Sequence, residues 1–393
     1  MQPVWRDRPV VAFMVAQTVI WASIFYSFPA LVLRWQAEFG WTTTTIMGAF
    51  SLAIAMQGLA APAFGRLIDR GSAPLSFPLG ALAGAACLIA MTQVTGPVGF
   101  YGVWATMGMA MGLTLYDPCF SLVTRARGPR ARHAITAITL AAGFASTLAY
   151  PLTAIVSDLA GWRAALWTLA GLVLVVNLPL ARFAAVKLEQ EVADQAAMTP
   201  DAPVTDGPAP NQLPGFWWLA MGFALAALGT GIVMSHLFPM MAALGVTGSM
   251  AVLAGSMIGP SQVAGRVLLM LSGTRFSAMT MSVTALLAVA LAALFLGAAA
   301  WWAVLVFAFA IAQGLGYGLT SILRPVVTRD VLGQAQFGRI AGAVARPSLL
   351  AFAVAPGVAA ILADTMGYGA VIAVCAAAPL AGALCLLRLR RLG

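Results

Sequence analysis

The sequence predicts an all-helical membrane protein whose twelve spans fall into two repeated halves, and three observations carry that prediction. Apolar windows long enough to cross a bilayer, roughly 20 residues each, recur along nearly the whole chain. Charged residues make up 8% of the chain and hydrophobic ones 61%, whereas a soluble domain carries about 25% charged residues. The second half also repeats the first. Gly108, Gly112, Leu113 and Thr114 recur 206 residues later as Gly314, Gly318, Leu319 and Thr320, and Asp158 and Gly161 recur as Asp364 and Gly367. Gly65-Arg66 has a counterpart 200 residues on in Gly265-Arg266.

Hydropathy places the first six spans at about 10–33, 44–67, 75–95, 99–123, 134–157 and 164–185. The second six fall at about 215–237, 249–271, 276–297, 301–323, 339–362 and 369–388. The halves are thus 1–185 and 214–393, joined by 186–213. That joint holds Glu189, Glu191, Asp194, Asp201 and Asp206 with four prolines; such a composition buries no core and reads as a flexible linker. An even number of spans puts both termini on one side, and Arg6, Arg8, Arg388, Arg390 and Arg391 assign that side to the cytoplasm. Gly80/Gly84, Gly108/Gly112 and Gly314/Gly318 repeat at a spacing that lets helix backbones approach closely in lipid.

The net charge of +9 reports topology rather than a nucleic-acid partner. Apart from Arg34 and Arg163 at outward ends and Arg266 and Arg346 inside spans, the basic residues fall in segments assigned to the cytoplasm. Enzyme signatures are missing: the one lysine, Lys187, precedes Leu188, which rules out a phosphate loop, and no GxSxG elbow or HExxH pair occurs. Cys87, Cys119, Cys375 and Cys385 lie in apolar runs without CxxC spacing, and His133 and His236 are too few for a histidine metal cluster. No cofactor is expected.

The strongest motif is Gly65-Arg66-Leu67-Ile68-Asp69-Arg70-Gly71, at the cytoplasmic end of the second span. Its glycine allows helix contact, its carboxylate suits a helix N-terminus, and its arginines suit carboxylates or lipid phosphates. Gly65, Arg66, Asp69 and Arg70 are therefore candidate gating residues. This segment resembles the loop between spans two and three of the major facilitator superfamily, with Gly65, Asp69 and Arg70 on the family positions. It departs at Gly71, one residue early, and at Ser72-Ala73-Pro74, where the family has basic residues. The resemblance extends through the twelve spans, the halved repeat and the central linker. It implies two six-helix bundles related by a pseudo-two-fold axis, alternating access, and a central site. Phe39-Gly40-Trp41, His236-Leu237-Phe238-Pro239 and Phe337-Gly338-Arg339-Ile340 look most like bacterial monocarboxylate and organic-anion carriers. The resemblance thus implies a bacterial inner-membrane protein. The Gly-Pro glycine pattern of drug antiporters is missing around Ala149-Tyr150-Pro151-Leu152-Thr153.

Ionisable groups inside spans are functional candidates by default. Asp117 lies about 10 Å from the cytoplasmic face at 1.5 Å per residue; it reads as a proton-coupling carboxylate or as an ion-pair partner of Arg66, Arg70 or Arg125. Arg346 lies about as deep and suits a substrate carboxylate. Arg266 reads as structural, because its repeat mate belongs to the gate motif. His236 is a candidate for proton coupling and for substrate contact. Met234, Met240 and Met241 beside it raise soft-metal transport as a minor alternative. Tyr26, Tyr116, Tyr317 and Gln262 are polar groups in apolar spans and candidate substrate contacts. Together these give a monomeric, proton-coupled carrier of small organic anions, driven by a gradient. Efflux of amphipathic drugs is the alternative, and a non-transporting sensor the remote one.

Overall fold

The computed structural model describes residues 7–128, 131–196, 210–272, 276–333 and 337–392. Twelve helices are long and apolar enough to cross a membrane, from Arg8–Phe39 to Tyr368–Arg390, and no strand occurs among the described residues. The chain divides into two compact units. The first is Met1–Trp41 with Gly48–Ala202, and the second is Thr42–Met47 with Pro203–Gly393.

Within each unit the repeated spans pair in the same way. In the first, Arg8–Ile20 lies against Ala131–Ala142 and Leu178–Ala196; in the second, Phe216–Ala243 lies against Phe337–Met366 and Tyr368–Leu392. Apolar side chains gain little by leaving lipid for protein, so close packing and polar bonds set these contacts. Glycine supplies the closeness. A Cβ on Gly314 would lie 2.6 Å from the Ile258 carbonyl oxygen, and one on Gly318 would strike that of Gln262. In the first unit a Cβ on Gly108 would strike the Ala53 carbonyl oxygen. Since Ala53 matches Ile258 across this seam, Gly265-Arg266 falls opposite Ala60-Ala61, more than one turn from Gly65-Arg66. Pairing Arg266 with the gate motif was therefore wrong, and Arg266 lies inside its unit at 3% exposure.

The first unit has irregular helices. The first span passes through a π-helical turn at Trp21–Phe25 and the sixth through another at Val173–Asn177; the fourth breaks at Leu115, with ψ of −158°. Proline explains the fourth-span break. Pro118 has no N–H for the Thr114 carbonyl and its ring clashes with that oxygen. The Gln17 side chain takes over, donating to it at 2.7 Å. Pro29 and Pro179 follow the two π turns in the same way. The fifth span is interrupted at Gly143-Phe144. In the second unit every span is one continuous helix.

Two expectations change. The stretch from residue 186 is not flexible as far as Ala196: it continues the helix Leu178–Ala196, because Glu189 and Glu191 find arginine partners on the first unit. Residues 197–209 lie outside the described residues. Trp35 lies near a span end, where an indole is expected at the membrane surface, yet it is fully buried. It packs edge-on to Phe28 and Phe100, while Phe28 stacks on Phe50 at 4.3 Å.

Candidate functional site

The helix bearing the gate motif ends as a Schellman turn. Gly71 adopts φ of +85°, its N–H reaches the Ile68 carbonyl at 3.0 Å, and the Ser72 N–H reaches Leu67 at 3.1 Å. A left-handed residue at this position is why the later glycine of the motif falls at 71. Of the expected gate cluster, Gly65, Arg66 and Arg70 are described. Arg66 and Arg70 are exposed with no ion pair among the described residues, a Cβ on Gly65 would meet nothing within 4 Å, and the Asp69 side chain lies outside what is described. The charge cluster at this end is built by other residues. Arg125 donates to the Ile68 carbonyl and pairs with Glu189 at 3.0 Å. Arg127 grips both oxygens of Asp7, at 2.8 and 3.1 Å, and pairs with Glu191. Both glutamates lie in the acidic stretch expected to be a linker, and these ion pairs hold them to the first unit instead.

Above this cluster the break in the fourth span presents Tyr116 and Asp117 in the first turn of Tyr116–Arg127. Asp117 is exposed rather than desolvated, and its carboxylate sits where a helix N-terminus favours negative charge. Trp21, on the π turn, meets Tyr116 at 4.8 Å and Tyr26 at 6.5 Å between ring centroids, and Tyr26 meets Tyr150 at 5.6 Å. The structure therefore brings Tyr26 and Tyr116 together around Trp21, which the sequence reading passed over. A tryptophan in the middle of a span, far from the interface, was the available signal.

In the second unit the close seam aligns two polar helix faces. Gln262 and Arg266 are one turn apart on Gly248–Ser272, and Gln313, Tyr317, Ser321 and Arg324 share one face of Leu305–Leu332. The faces meet where Arg266 Nη2 donates to Ser321 Oγ at 3.4 Å. Arg266 and Arg324 both lie within electrostatic reach of Tyr317. Gln262 and Gln313 are buried, and the amide nitrogen of each has no hydrogen-bond acceptor among the described residues. The strip is rich in donors, a setting that suits a carboxylate. Of the expected site residues, Gln262 and Tyr317 are joined here by Arg266, not by Arg346 or His236.

Arg346 is exposed, with no ion pair among the described residues. The packed stripe of its helix is Ile340, Val344, Ser348, Ala355 and Ala359. At about 100° per residue, Arg346 shares a strip with Gly342, Ala353, Gly357 and Asp364. The bulky exposed Leu350, Val354 and Ile361 are centred roughly 60° to one side of it, and exposed Leu349 lies about as far to the other. His236 is fully buried; its Nε2 lies 2.9 Å from the Pro356 carbonyl and its Nδ1 3.1 Å from the Tyr368 hydroxyl. Both ring nitrogens are engaged by protein, which leaves none for substrate or a soft metal. No group of three or more metal-ligating side chains occurs among the described residues.

Comparison with curated proteins gives no match. The family model of the Major Facilitator Superfamily matches residues 13–344. With that match, twelve apolar helices and the repeated pairing of spans, the chain belongs to the Major Facilitator Superfamily and is a multi-pass membrane protein of the secondary-transporter kind.

Proposed function

We propose that this chain carries small organic anions of the monocarboxylate class, coupled to protons, by alternating access. It works as a monomer in a bacterial inner membrane with both termini in the cytoplasm. The observation that carries the reading is the buried Arg266. It stands among Gln262, Tyr317, Ser321 and Arg324 in a run of sequence without a single Asp or Glu between Asp206 and Asp330. A charge held that deep is costly unless function retains it, and a positive strip of donors favours a carboxylate. Arg346 supplies a second, exposed guanidinium. His236 takes the proton-coupling role in preference to the exposed Asp117.

Thermal stabilisation of the purified protein by a panel of mono- and dicarboxylates tests this, since a ligand that prefers the folded state raises the melting temperature. A carboxylate should stabilise the wild type, and the shift should vanish in Arg266→Gln and weaken in Arg346→Gln. Full shifts in both variants would remove the anion site. A second reading, efflux of amphipathic compounds, draws on the Trp21, Tyr26 and Tyr116 cluster beside Asp117. Stabilisation by amphipathic cations alone would favour it.

A further inference from the structure

Asp364, Tyr368 and His236 meet at the end of the second unit away from its terminal arginines, and the anion strip uses none of them. The Pro356 carbonyl only accepts, so His236 Nε2 carries a proton, and in the neutral ring Nδ1 is then an acceptor. The Tyr368 hydroxyl must donate to Nδ1, which uses its one proton. Thr43, which also hydrogen-bonds Tyr368, must therefore donate to the phenol oxygen. One residue on, the Thr44 amide and hydroxyl both donate to Asp364 Oδ2, the amide at 3.3 Å. Thr43 and Thr44 belong to the segment Thr42–Met47, which groups with this unit. All the hydrogens in the chain from Thr43 through Tyr368 thus point toward His236.

We propose that Tyr368 relays the protonation of His236 to Asp364, and that this sets how firmly Thr42–Met47 is held. When Nδ1 gains a proton it becomes a donor, and the phenol oxygen must accept from it. The Tyr368 O–H then has to turn to another acceptor. Asp364 is the carboxylate whose charge acts on both Tyr368 and His236. Drawn toward the new cation and the turned hydroxyl, it gives up Thr44. One proton enters from water and only hydrogen bonds rearrange. Among the described residues, no other ionisable group faces His236 at this end. Its own helix has none; Gly248–Ser272 and Leu305–Leu332 hold only Arg266, Tyr317, Arg324, Arg329 and Asp330, farther toward the opposite end, and Ala278–Ala298 has none. On the two remaining helices Arg346 lies ten residues before Pro356 with Arg339 farther still, and Cys375 lies seven residues after Tyr368, while Cys385, Arg388, Arg390 and Arg391 are toward the far end.

The repeat supports the assignment. Positions 206 residues earlier than Asp364, Tyr368 and His236 hold Asp158, Trp162 and Ala30. There Asp158 binds Arg34 at 2.7 Å, a partner whose charge never changes. The first copy has a fixed pair where the second has a titratable relay.

Hydrogen exchange of the peptide covering 42–47, in the full-length protein in detergent between pH 8 and pH 4, tests the relay. Rates are corrected for intrinsic chemistry. In parallel, ¹⁵N-histidine resonances in a His133→Gln background report the His236 titration. Protection in the wild type should fall at least tenfold on acidification, since both Thr44 hydrogen bonds to the Asp364 carboxylate are lost. His236→Gln, which keeps both bonds in neutral form, should stay protected throughout. Tyr368→Phe should leave His236 titrating while its 42–47 segment no longer responds. A flat wild-type profile, or a full response in Tyr368→Phe, would overturn the proposal. No substrate enters the experiment, so its failure and that of the anion reading are separable.

Discussion

Replacing Gly314 with alanine places a methyl carbon 2.6 Å from the Ile258 carbonyl oxygen, and closer still to the Ser261 side chain. Ordinary contact begins at 3.4 Å, so Leu305–Leu332 must back away from Gly248–Ser272 by nearly an ångström or bend. Backbone cannot yield as a side chain tip does, and overpacking of this kind costs about 1–3 kcal/mol. Gly65→Ala is the matched control. A Cβ there meets nothing within 4 Å, and alanine is favoured over glycine inside a helix by roughly 0.5–1 kcal/mol. The two substitutions should therefore shift stability in opposite directions. Cys87, Cys119 and Cys375 are buried, so a thiol-reactive dye reports unfolding directly in detergent. Gly314→Ala should lower the midpoint by several degrees, and Gly65→Ala should leave it unchanged or raise it. An unaffected Gly314→Ala protein, or a destabilised Gly65→Ala protein, would refute the seam as the tight contact and the motif glycine as open.

Gln17→Leu should cost about 1–3 kcal/mol in the same assay, because the Thr114 carbonyl is left buried without a donor. The cost should shrink in a Pro118→Ala background, where the helix can close over that oxygen; additive effects would break the link. Arg125→Ala should loosen the end of the gate-motif helix, since Arg125 joins Ile68 to Glu189 with exposures of 24% and 16% for the pair. A loss of about 1–3 kcal/mol is expected, with faster proteolysis near residue 71, and Glu189→Gln should do less. Equal proteolysis of wild type and Arg125→Ala would show that the loop is held by its glycine turn alone.

The fold was legible because its signals are long and local. Apolar runs give the spans, and Gly161 and Gly367, both at positive φ, mark the same helix end in both copies. The breaks were less legible. Pro118 opens its helix while Pro260 and Pro325 sit in continuous ones. What distinguishes Pro118 is Gln17, 97 residues away along the chain, ready to satisfy the released carbonyl. The site was half legible. Tyr26, Tyr116, Gln262 and Tyr317 could be picked as polar groups in apolar spans, but their grouping depends on which helices share a seam. Counting the repeat at 200 residues rather than along the packed glycines moved Arg266 by more than a turn and cost it its place. Glu189 and Glu191 were misplaced because composition sees an acidic stretch and not the arginines that receive it.

The two units repeat one pattern of span pairing. Here one copy has become jointed, with π turns and breaks in its first, fourth, fifth and sixth spans, while the other has kept its rods whole. A jointed part yields locally and its pieces can shift by small amounts without disturbing the remainder. A part made of rods transmits displacement from one end to the other. In such a division of labour, local adjustment belongs to the first copy and end-to-end transmission to the second.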